Sequence, residues 1–263
     1  MYTLSYIRQI LGLETSAVQD QELVDIVIDS RAILEGKRSL FVAIKASHRN
    51  GHDFIKSAYE KGVRSFLVSE QIVSAEFPDA HFIEVKDTLV ALQTIAAAIR
   101  ATQHGPIIGI TGSNGKTTTT LLIHHILKKA GFDVGLAGNI GHSYAKQVAL
   151  EDHEWYVLEL SSFQLDDMYD FRADISIITN ISPDHLDRYA YEMQNYVDAK
   201  FRILQNQRDT DWFIYNLDDP IISKEISLRN PKMQMAPFSL LQEVILGAYS
   251  INKQITINIK QPI

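Results

Sequence analysis

Residues 107–120 read Ile107-Ile-Gly-Ile-Thr-Gly-Ser-Asn-Gly-Lys-Thr-Thr-Thr-Thr120, an apolar segment that leads into a glycine-rich one. The apolar half is rich in β-branched residues and predicts a buried parallel strand. The glycines that follow let backbone N–H groups face an anion, Lys116 adds a positive charge, and Thr117 offers a hydroxyl suited to Mg²⁺. A helix predicted over residues 118–129 directs its positive dipole end at the same point. Together these features predict a binding site for nucleotide phosphates.

The glycine spacing is a variant of the strict phosphate-loop pattern. That pattern needs a glycine five positions before Gly115, where Ile110 stands. An ordinary glycine-rich turn with a surface lysine is the alternative, but the predicted strand and helix on either side favour phosphate binding. The predicted nucleotide-binding residues of the loop are Gly112, Ser113, Asn114, Gly115, Lys116, Thr117 and Thr118.

The composition excludes several classes of protein. A length of 263 residues predicts two domains, and a net charge of −7 argues against a nucleic-acid or anionic-membrane surface. No run of ~20 apolar residues could span a membrane, and the N-terminus lacks the pattern of a secretory signal. Cysteine is absent, which excludes disulfides, thiolate zinc sites and a cysteine nucleophile. We therefore expect a cytoplasmic enzyme with no nucleic-acid or membrane partner.

Residues 1–104 predict a small N-terminal α/β domain. Strand-like segments alternate with two helices, and Asp87 is the predicted N-cap of the second. His104-Gly105-Pro106 ends that helix and is the predicted boundary to the second domain, residues 105–263. The predicted strands cover residues 23–28, 39–45, 64–69 and 81–85, and the predicted helices cover residues 53–61 and 88–102.

Two polar segments follow strands of this first domain. They are Asp29-Ser30-Arg31 and residues 45–52. Polar residues after a parallel strand lie where α/β sheets bind ligands. For residues 45–52, a solvated loop is an equally good interpretation from the residues alone.

Residues 105–263 predict a mononucleotide-binding domain with a mostly parallel central sheet, so the fold class is α/β. Glu159 lies at the end of one predicted strand, His185 follows another after a short loop, and Asn216 ends a third. If the strands are parallel, these groups gather beside the phosphate loop, where carboxylates are natural Mg²⁺ ligands. The predicted strands after the phosphate loop cover residues 155–160, 173–179 and 211–215, and a strand-like stretch covers residues 250–259.

A helix predicted over residues 193–206 carries an apolar stripe at helical spacing, and Lys200 falls inside that stripe. A buried lysine is costly unless it is paired or modified, although its stem could also run along the edge of the stripe. His124 and His125, in the middle of the helix after the phosphate loop, are interpreted as packing or surface residues. His185, after Pro183-Asp184, is the histidine that we expect to be functional.

At these positions the chain resembles the Mur ligases, ATP-dependent amide-forming enzymes of peptidoglycan precursor synthesis. The first-domain segments Asp29-Ser-Arg31 and residues 40–54 resemble the tripeptide-type branch, which includes the D-Ala-D-Ala-adding enzymes. The chain thus resembles a mixed or chimeric ligase whose two parts meet at the phosphate loop. Residues 112–117 resemble the phosphate loop that both branches share, and residues 138–141, 158–165 and 180–189 resemble the D-glutamate-adding branch in particular.

The resemblance implies a reaction in two steps. ATP phosphorylates the carboxylate of a UDP-N-acetylmuramoyl substrate, and the amino group of an amino acid or dipeptide then displaces phosphate to form an amide. Lys116 and the loop amides would stabilise the transferring phosphoryl group. The implied catalytic residues are Lys116, Asn139, Glu159, His185 and Lys200.

The resemblance also implies ligands for the cofactors and the substrate. Thr117 and Glu159 would hold one Mg²⁺, and His185 and a carbamylated Lys200 would hold a second. Asn216 would lie near the nucleotide base. The residues expected to bind the UDP-N-acetylmuramoyl substrate are Ser30, Arg31, Lys45, His52 and Ser161. The protein is expected to be a monomer.

Mur ligases have a third domain that helps to bind ATP and the incoming amino acid, and we expect it to lie outside these 263 residues. The chain alone is then expected to bind nucleotide without completing amide synthesis. A nucleotide-binding module without ligase activity is therefore an alternative. A GTPase is disfavoured because Asn252-Lys253 is followed by Gln254 and Ile255, not by the base-reading aspartate. A folate-linked glutamate ligase is disfavoured by the Asp29-Ser-Arg31 domain.

Overall fold

The computed structural model describes residues 2–14, 20–46, 49–102, 105–141, 143–150 and 153–259. The chain forms two compact units. One contains residues 1–104 with residues 145–152, and the other contains residues 105–144 with residues 153–263. Within the described residues, no helix is both long and apolar enough to cross a membrane.

The first unit is built on a parallel sheet with the strand order β3-β4-β7-β8. A core of buried apolar side chains that includes Phe41 and Phe66 lies against the sheet. Two short antiparallel pairs, β1 with β2 and β5 with β6, complete it. The strands are β1 Tyr2–Thr3, β2 Glu22–Leu23, β3 Asp25–Val27, β4 Ser39–Val42, β5 Lys45–Ala46, β6 Arg49–Asn50, β7 Ser65–Val68 and β8 His81–Glu84, and the helices are α1 Leu4–Ile10, α2 Ile55–Glu60 and α3 Thr88–Ala101.

The four strands and two helices predicted for this unit are present, with changed ends. The predicted strand over residues 39–45 stops at Val42, and Lys45–Ala46 pairs instead with Arg49–Asn50. Gly51 packs directly on the backbone before that pair, since a Cβ there would lie 2.6 Å from the Ile44 nitrogen. The predicted cap of α3 is confirmed, because the Asp87 carboxylate accepts from the backbone N–H of Leu89 and Val90. Ser47 and His48, within the predicted polar segment, lie outside the described residues.

The second unit contains an eight-stranded sheet with the order β10-β11-β9-β12-β13-β14-β15-β16, parallel except for its last pair. Apolar residues from neighbouring strands, among them Ile110, Val157 and Ile177, form a core against α4. The strands are β9 Ile107–Thr111, β10 Val134–Gly138, β11 Trp155–Glu159, β12 Ile175–Ile178, β13 Trp212–Asn216, β14 Gln234–Ser239, β15 Gly247–Ile251 and β16 Gln254–Asn258, and the helices are α4 Lys116–Lys129, α6 Ser162–Asp166, α7 Met193–Phe201 and α8 Pro220–Arg229. Helix α5 Tyr144–Leu150 belongs to the first unit from Ala145 onward.

The α/β class and the mostly parallel central sheet are therefore confirmed. The helix after the phosphate loop begins at Lys116, two residues earlier than predicted, because Gly115 adopts a left-handed conformation and starts it. The strand-like stretch over residues 250–259 is divided between β15 and β16, with Asn252 and Lys253 at positive φ in the turn. Strands β10 and β14 and helices α5, α6 and α8 were not predicted.

Candidate nucleotide and metal site

The predicted site residues of the second unit come from strand ends that lie side by side. β9 has β11 on one side and β12 on the other, so the chain changes direction across the sheet at this strand. Thr111 at the end of β9 pairs with Ile178 at the end of β12, and Glu159 at the end of β11 pairs with Gly138 of β10. Ligands of α/β proteins bind beyond the strand ends at such a point.

Two glycines shape the phosphate loop. Gly112 has φ +150°, and a Cβ on it would lie 2.0 Å from Thr179 Oγ1. Gly115 has φ +79° and is the N-cap of α4. The loop therefore needs both glycines. Gly112 lets the loop backbone approach Thr179 closely, and Gly115 adopts the left-handed conformation that starts α4.

The loop amides divide into two groups. Ser113 N–H donates to the Asn180 carbonyl at 2.9 Å, and Asn114 N–H donates to Asn180 Oδ1 at 2.9 Å. These two amides thus already have acceptors within the protein. The amides of the first turn of α4 have no acceptor within the helix, and Gly115 provides no side-chain cap. The amides of residues 116–118 are the ones placed to meet a phosphate group.

The hydroxyl of Ser113 is fully used inside the protein. It donates to the Ser182 carbonyl at 2.9 Å and accepts from Ser182 N–H at 2.9 Å. The hydroxyl of Tyr196 lies 3.1 Å away and supplies the second donor. Ser113, predicted to bind nucleotide, therefore has a structural role within the loop. The exposed side chains of Thr117 and Thr118 remain open to a ligand.

Two lysines converge on one carbonyl of the loop. Lys116 Nζ lies 2.8 Å from the Gly112 oxygen and 3.1 Å from the Ser113 oxygen, and Lys200 Nζ also lies 2.8 Å from the Gly112 oxygen. Lys200 is 2% exposed, and its ammonium lies 4.5 Å from the centre of the Tyr196 ring. The prediction that Lys200 is buried is confirmed. Neither ammonium has a carboxylate partner among the described residues, so the pair is suited to an anion.

The surroundings of Lys200 change its protonation. Burial, together with the nearby charge of Lys116, lowers the pKa of Lys200 to about 7, although the charge of Asp184 acts in the opposite direction. A neutral amine is a nucleophile, whereas an ammonium is not. The lowered pKa therefore gives Lys200 a larger share of the neutral amine near neutral pH than an ordinary lysine has.

Glu159 presents a carboxylate oxygen without a partner. Its side chain is 2% exposed, and Oε1 accepts from Asn139 Nδ2 at 2.8 Å. Oε2 is buried and has no hydrogen-bond partner among the described residues. A buried carboxylate oxygen of this kind fits a hard cation such as Mg²⁺, which takes oxygen ligands from protein, water and substrate phosphates. The described residues contain no cluster of three or more His, Cys, Asp or Glu side chains around a metal position.

His185 lies on the loop after β12, with a left-handed φ of +50°. Its side chain is 60% exposed, its Nε2 lies 3.6 Å from Asp184 Oδ2, and its ring meets the Phe163 ring edge to face. No hydrogen bond or ion pair joins His185 to Glu159 or Lys200 in the described part of the chain. Among the described residues, no hydrogen bond or ion pair joins any two of the four predicted metal ligands, Thr117, Glu159, His185 and Lys200.

Two further predicted residues have local structural roles. Ser161 is the N-cap of α6, where its hydroxyl accepts from Gln164 N–H and the Gln164 side chain accepts from Ser161 N–H. Asn216 Oδ1 accepts from Asp218 N–H at 3.0 Å in the turn after β13. Each role leaves part of the side chain's hydrogen-bonding capacity for a ligand.

The predicted substrate residues of the first unit have partners within that unit. Arg31 pairs with Asp29 and lowers the pKa of that carboxyl well below its usual range, and Lys61 donates to the Ser30 carbonyl. Lys45 Nζ lies 2.8 Å from Glu70 Oε1 in an exposed ion pair, which is weak and can open for a ligand.

His52 is held in one protonation state by two hydrogen bonds. Its Nε2 accepts from Ser69 N–H at 3.0 Å, so the proton is on Nδ1, which donates to Asn50 Oδ1 at 2.8 Å. Burial lowers the pKa of His52 and so favours this neutral form. His52 thus fastens the 3-10 turn Gly51–Phe54 to the end of β7.

Sequence reasoning missed the residues that hold the phosphate loop from outside. Asn180, Tyr196 and Asp219 contact the loop or the segment that supports it. Their signal in the sequence is weak. Asn180 and Asp219 are polar residues after strands, as several candidate ligands are, and Tyr196 reads as one more member of the apolar stripe.

Comparison with known proteins identifies relatives of both units. The Mur ligase middle domain matches residues 110–256, and the Mur ligase family catalytic domain matches residues 23–100. A UDP-N-acetylmuramoylalanine–D-glutamate ligase of Bacteroides fragilis is 58% identical over 57% of this chain and 34% of its own length. The corresponding ligase of Cytophaga hutchinsonii is 45% identical over 76% of this chain and 46% of its own length. The matches thus span less than half the length of these two relatives.

Solved structures show the same fold. The MurF ligase of Thermotoga maritima in complex with ADP matches 88% of this chain and 54% of its own, with a TM-score of 0.69 and 21% identity. A MurF structure from Acinetobacter baumannii matches 91% of this chain and 55% of its own, with a TM-score of 0.72 and 20% identity. The middle-domain match covers more than half of the described chain and includes the phosphate loop with Glu159 and Lys200. The chain therefore belongs to the Mur ligase family.

Proposed function

We propose that this chain supplies the ATP-binding and UDP-substrate-binding parts of an ATP-dependent ligase of peptidoglycan precursor synthesis. The reaction adds an amino acid, D-glutamate, to a UDP-N-acetylmuramoyl substrate. The observation that carries the proposal is the convergence of the Lys116 and Lys200 ammonium groups on the Gly112 carbonyl, at the uncapped N-terminus of α4. The relatives named D-glutamate ligases, one of them 58% identical over 57% of this chain, support the choice of amino acid.

The proposed reaction has two steps. An oxygen of the substrate carboxylate forms a bond to the γ-phosphorus of ATP, and the bond from that phosphorus to the ADP oxygen breaks. The amino nitrogen then attacks the acyl carbon, phosphate leaves, and the amine loses a proton. Lys116 would exchange the Gly112 carbonyl for phosphate oxygens, and the amides of residues 116–118 would face the same charge.

The residues present fit a bound divalent cation, since Glu159 Oε2 is a buried carboxylate oxygen without a partner. Thr117 and Glu159 would hold one Mg²⁺, and His185 and a carbamylated Lys200 would hold a second. Bound Mg²⁺ neutralises charge on the phosphates. Asn139 holds Glu159 through its side-chain amide and its own N–H, which donates to the Glu159 carbonyl at 2.7 Å. Asn139 would thereby keep the carboxylate aimed at the cation.

Carbamylation of Lys200 would convert a buried cation into an anionic ligand. The neutral amine attacks CO₂, a nitrogen–carbon bond forms and a proton is released. Because the pKa of Lys200 is lowered to about 7, the neutral amine is plentiful at pH 8. We expect ¹³C-bicarbonate to give a carbamate signal in NMR that grows from pH 6 to pH 8. The signal should vanish in Lys200→Arg and persist in Lys129→Arg, which changes an exposed lysine of α4. A signal that survives in Lys200→Arg would assign the carbamate to another group.

Each unit contains residues that are proposed to bind the UDP-N-acetylmuramoyl substrate. Ser30, Arg31, Lys45 and His52 are proposed to bind the UDP end, and Ser161 the muramoyl part. A D-Ala-D-Ala-adding ligase is the second candidate, because the MurF structures match about nine-tenths of the chain, including the first unit. A nucleotide-binding module without ligase activity is the third.

Binding measurements test the proposal on these 263 residues. We expect calorimetry to show binding of ATP and ADP in the presence of Mg²⁺, and much weaker binding of GTP. Saturation-transfer NMR is expected to show contact with UDP-N-acetylmuramoyl-L-alanine, with the tripeptide substrate as the comparison that separates the two ligase candidates. Absence of any nucleotide binding would contradict the proposed function. Nucleotide binding with no transfer to either UDP substrate would favour the module without ligase activity.

A further inference from the structure

The side chain of Asn180 forms a two-bond pair with one peptide of the phosphate loop. Its Oδ1 accepts from Asn114 N–H at 2.9 Å, and its Nδ2 donates to the Asn114 carbonyl at 2.9 Å. Its backbone carbonyl also accepts from Ser113 N–H at 2.9 Å. Two consecutive residues of the loop are thus held by one asparagine 66 residues further along the chain.

The segment that carries Asn180 is itself held from behind. Ile181 N–H donates to Asp219 Oδ2 at 2.7 Å, and Asp219 is 8% exposed. The other oxygen of Asp219 accepts from the N–H groups of Ile221 and Ile222 and so caps α8. Asn180 therefore projects from a fixed support and not from a free loop.

An asparagine is suited to this position for a chemical reason. Its amide presents an acceptor and a donor side by side, which matches the donor and acceptor of a peptide. Aspartate would place a second oxygen against the Asn114 carbonyl, and an apolar side chain would leave both groups unpaired. The Thr179 hydroxyl also donates to the Asn114 carbonyl, at 2.8 Å, but it cannot satisfy the Asn114 N–H.

We propose, resting on the proposed nucleotide-binding function, that Asn180 is a positioning residue for the phosphate loop. By turning the amides of Ser113 and Asn114 inward, it holds the loop in the conformation that leaves the amides of residues 116–118 facing the phosphates. Asn180 contacts the loop backbone and needs no contact with the nucleotide. Its loss should weaken binding of the phosphates and leave binding of the base unchanged.

The test compares Asn180→Ala with a matched control, Asn206→Ala. Asn206 also makes two side-chain hydrogen bonds to backbone carbonyls, those of Tyr169 and Phe171, but it lies on neither the loop nor its support. We expect the Kd for ADP to rise at least tenfold in Asn180→Ala and to be unchanged in Asn206→Ala. The Kd for adenosine should be unchanged in both. Asn180→Gln, which keeps the amide but displaces it by one methylene, should lose ADP affinity as Asn180→Ala does.

A spectroscopic measurement gives a second reading in the same proteins. The chain has 13 glycines, so selective ¹⁵N-glycine labelling yields a simple spectrum in which Gly112 and Gly115 report on the loop. We expect both signals to shift in Asn180→Ala without nucleotide, and the ADP-induced shift of Gly115 to be reduced. Unchanged ADP affinity with unchanged glycine signals would overturn the inference, as would an equal loss of ADP and adenosine binding. If the unmodified chain fails to bind ADP, the proposed function itself fails.

Discussion

ATP is expected to bind at least tenfold more weakly when Lys116 is replaced by alanine, a loss of about 1.4 kcal/mol of binding free energy or more. Lys116 is at the first position of α4, and its ammonium already lies at the loop, bonded to the carbonyls of Gly112 and Ser113. Phosphate oxygens are stronger partners for an ammonium than neutral carbonyls are, since both groups are charged. The variant should remain folded, because removing Lys116 also removes a positive charge that disfavours the protonated form of Lys200.

Calorimetry with ATP and Mg²⁺ measures this effect, and Lys128→Ala is the matched control. Lys128 is on the last turn of the same helix, so its loss changes the net charge equally without touching the loop. We expect Lys128→Ala to bind ATP as the unmodified chain does. Equal ATP affinities for Lys116→Ala and the unmodified chain would contradict the assignment of residues 112–118 as a phosphate-binding loop. An equal loss in both variants would point to the overall charge and not to the site.

Replacing Gly112 by alanine is expected to lower the free energy of unfolding by about 2–4 kcal/mol, because an overpacked contact and a strained backbone each cost on the order of 1–3 kcal/mol. The new Cβ would lie 2.0 Å from Thr179 Oγ1 and 3.2 Å from the Asn180 carbonyl, at a backbone φ of +150°. Thr179 cannot simply turn away, because its hydroxyl donates to the Asn114 carbonyl at 2.8 Å. The loop and the segment after β12 would have to move apart, so nucleotide affinity should also be lost.

Urea denaturation measures the stability of this variant, with Gly131→Ala as the control. Gly131 also has a positive φ, +95°, but a Cβ there meets no atom within 4 Å. Its replacement by alanine carries only the conformational cost of a positive φ, about 1–2 kcal/mol. The difference between the two variants therefore isolates the steric clash at the loop. If the two variants lose the same stability, the contact between Gly112 and Thr179 is not tight in solution.

Features that depend on local sequence could be predicted from the sequence. The glycines, Lys116 and the following helix lie within a few residues of one another, so their spacing alone indicates the phosphate loop. The burial of Lys200 was predicted because helical periodicity places it among apolar neighbours on α7. The gathering of Glu159 and the segment after β12 beside the loop followed from parallel strands, whose carboxyl ends share one edge.

Features that depend on contacts between distant segments could not be predicted. Ser113 and Asn114 looked like nucleotide ligands, but their N–H groups donate to Asn180, far along the chain. The sequence pattern indicates that the phosphate loop and the segment with Asn180 lie at the same edge of the sheet, but it does not indicate which of their atoms form hydrogen bonds. The same limit applies to His52, whose partners Asn50 and Ser69 give it a structural role that its polar surroundings did not indicate.

The buried amine of Lys200 also bears on how this protein can evolve or be engineered. Enclosing an ammonium without a carboxylate partner costs folding free energy, and an apolar side chain of similar length would avoid that cost. Screens that reward expression or heat resistance alone would therefore favour replacements at this position, while selection for the proposed ligase activity would oppose them. A stabilised version of this protein intended for inhibitor screening should keep Lys200 unchanged and seek its gains elsewhere.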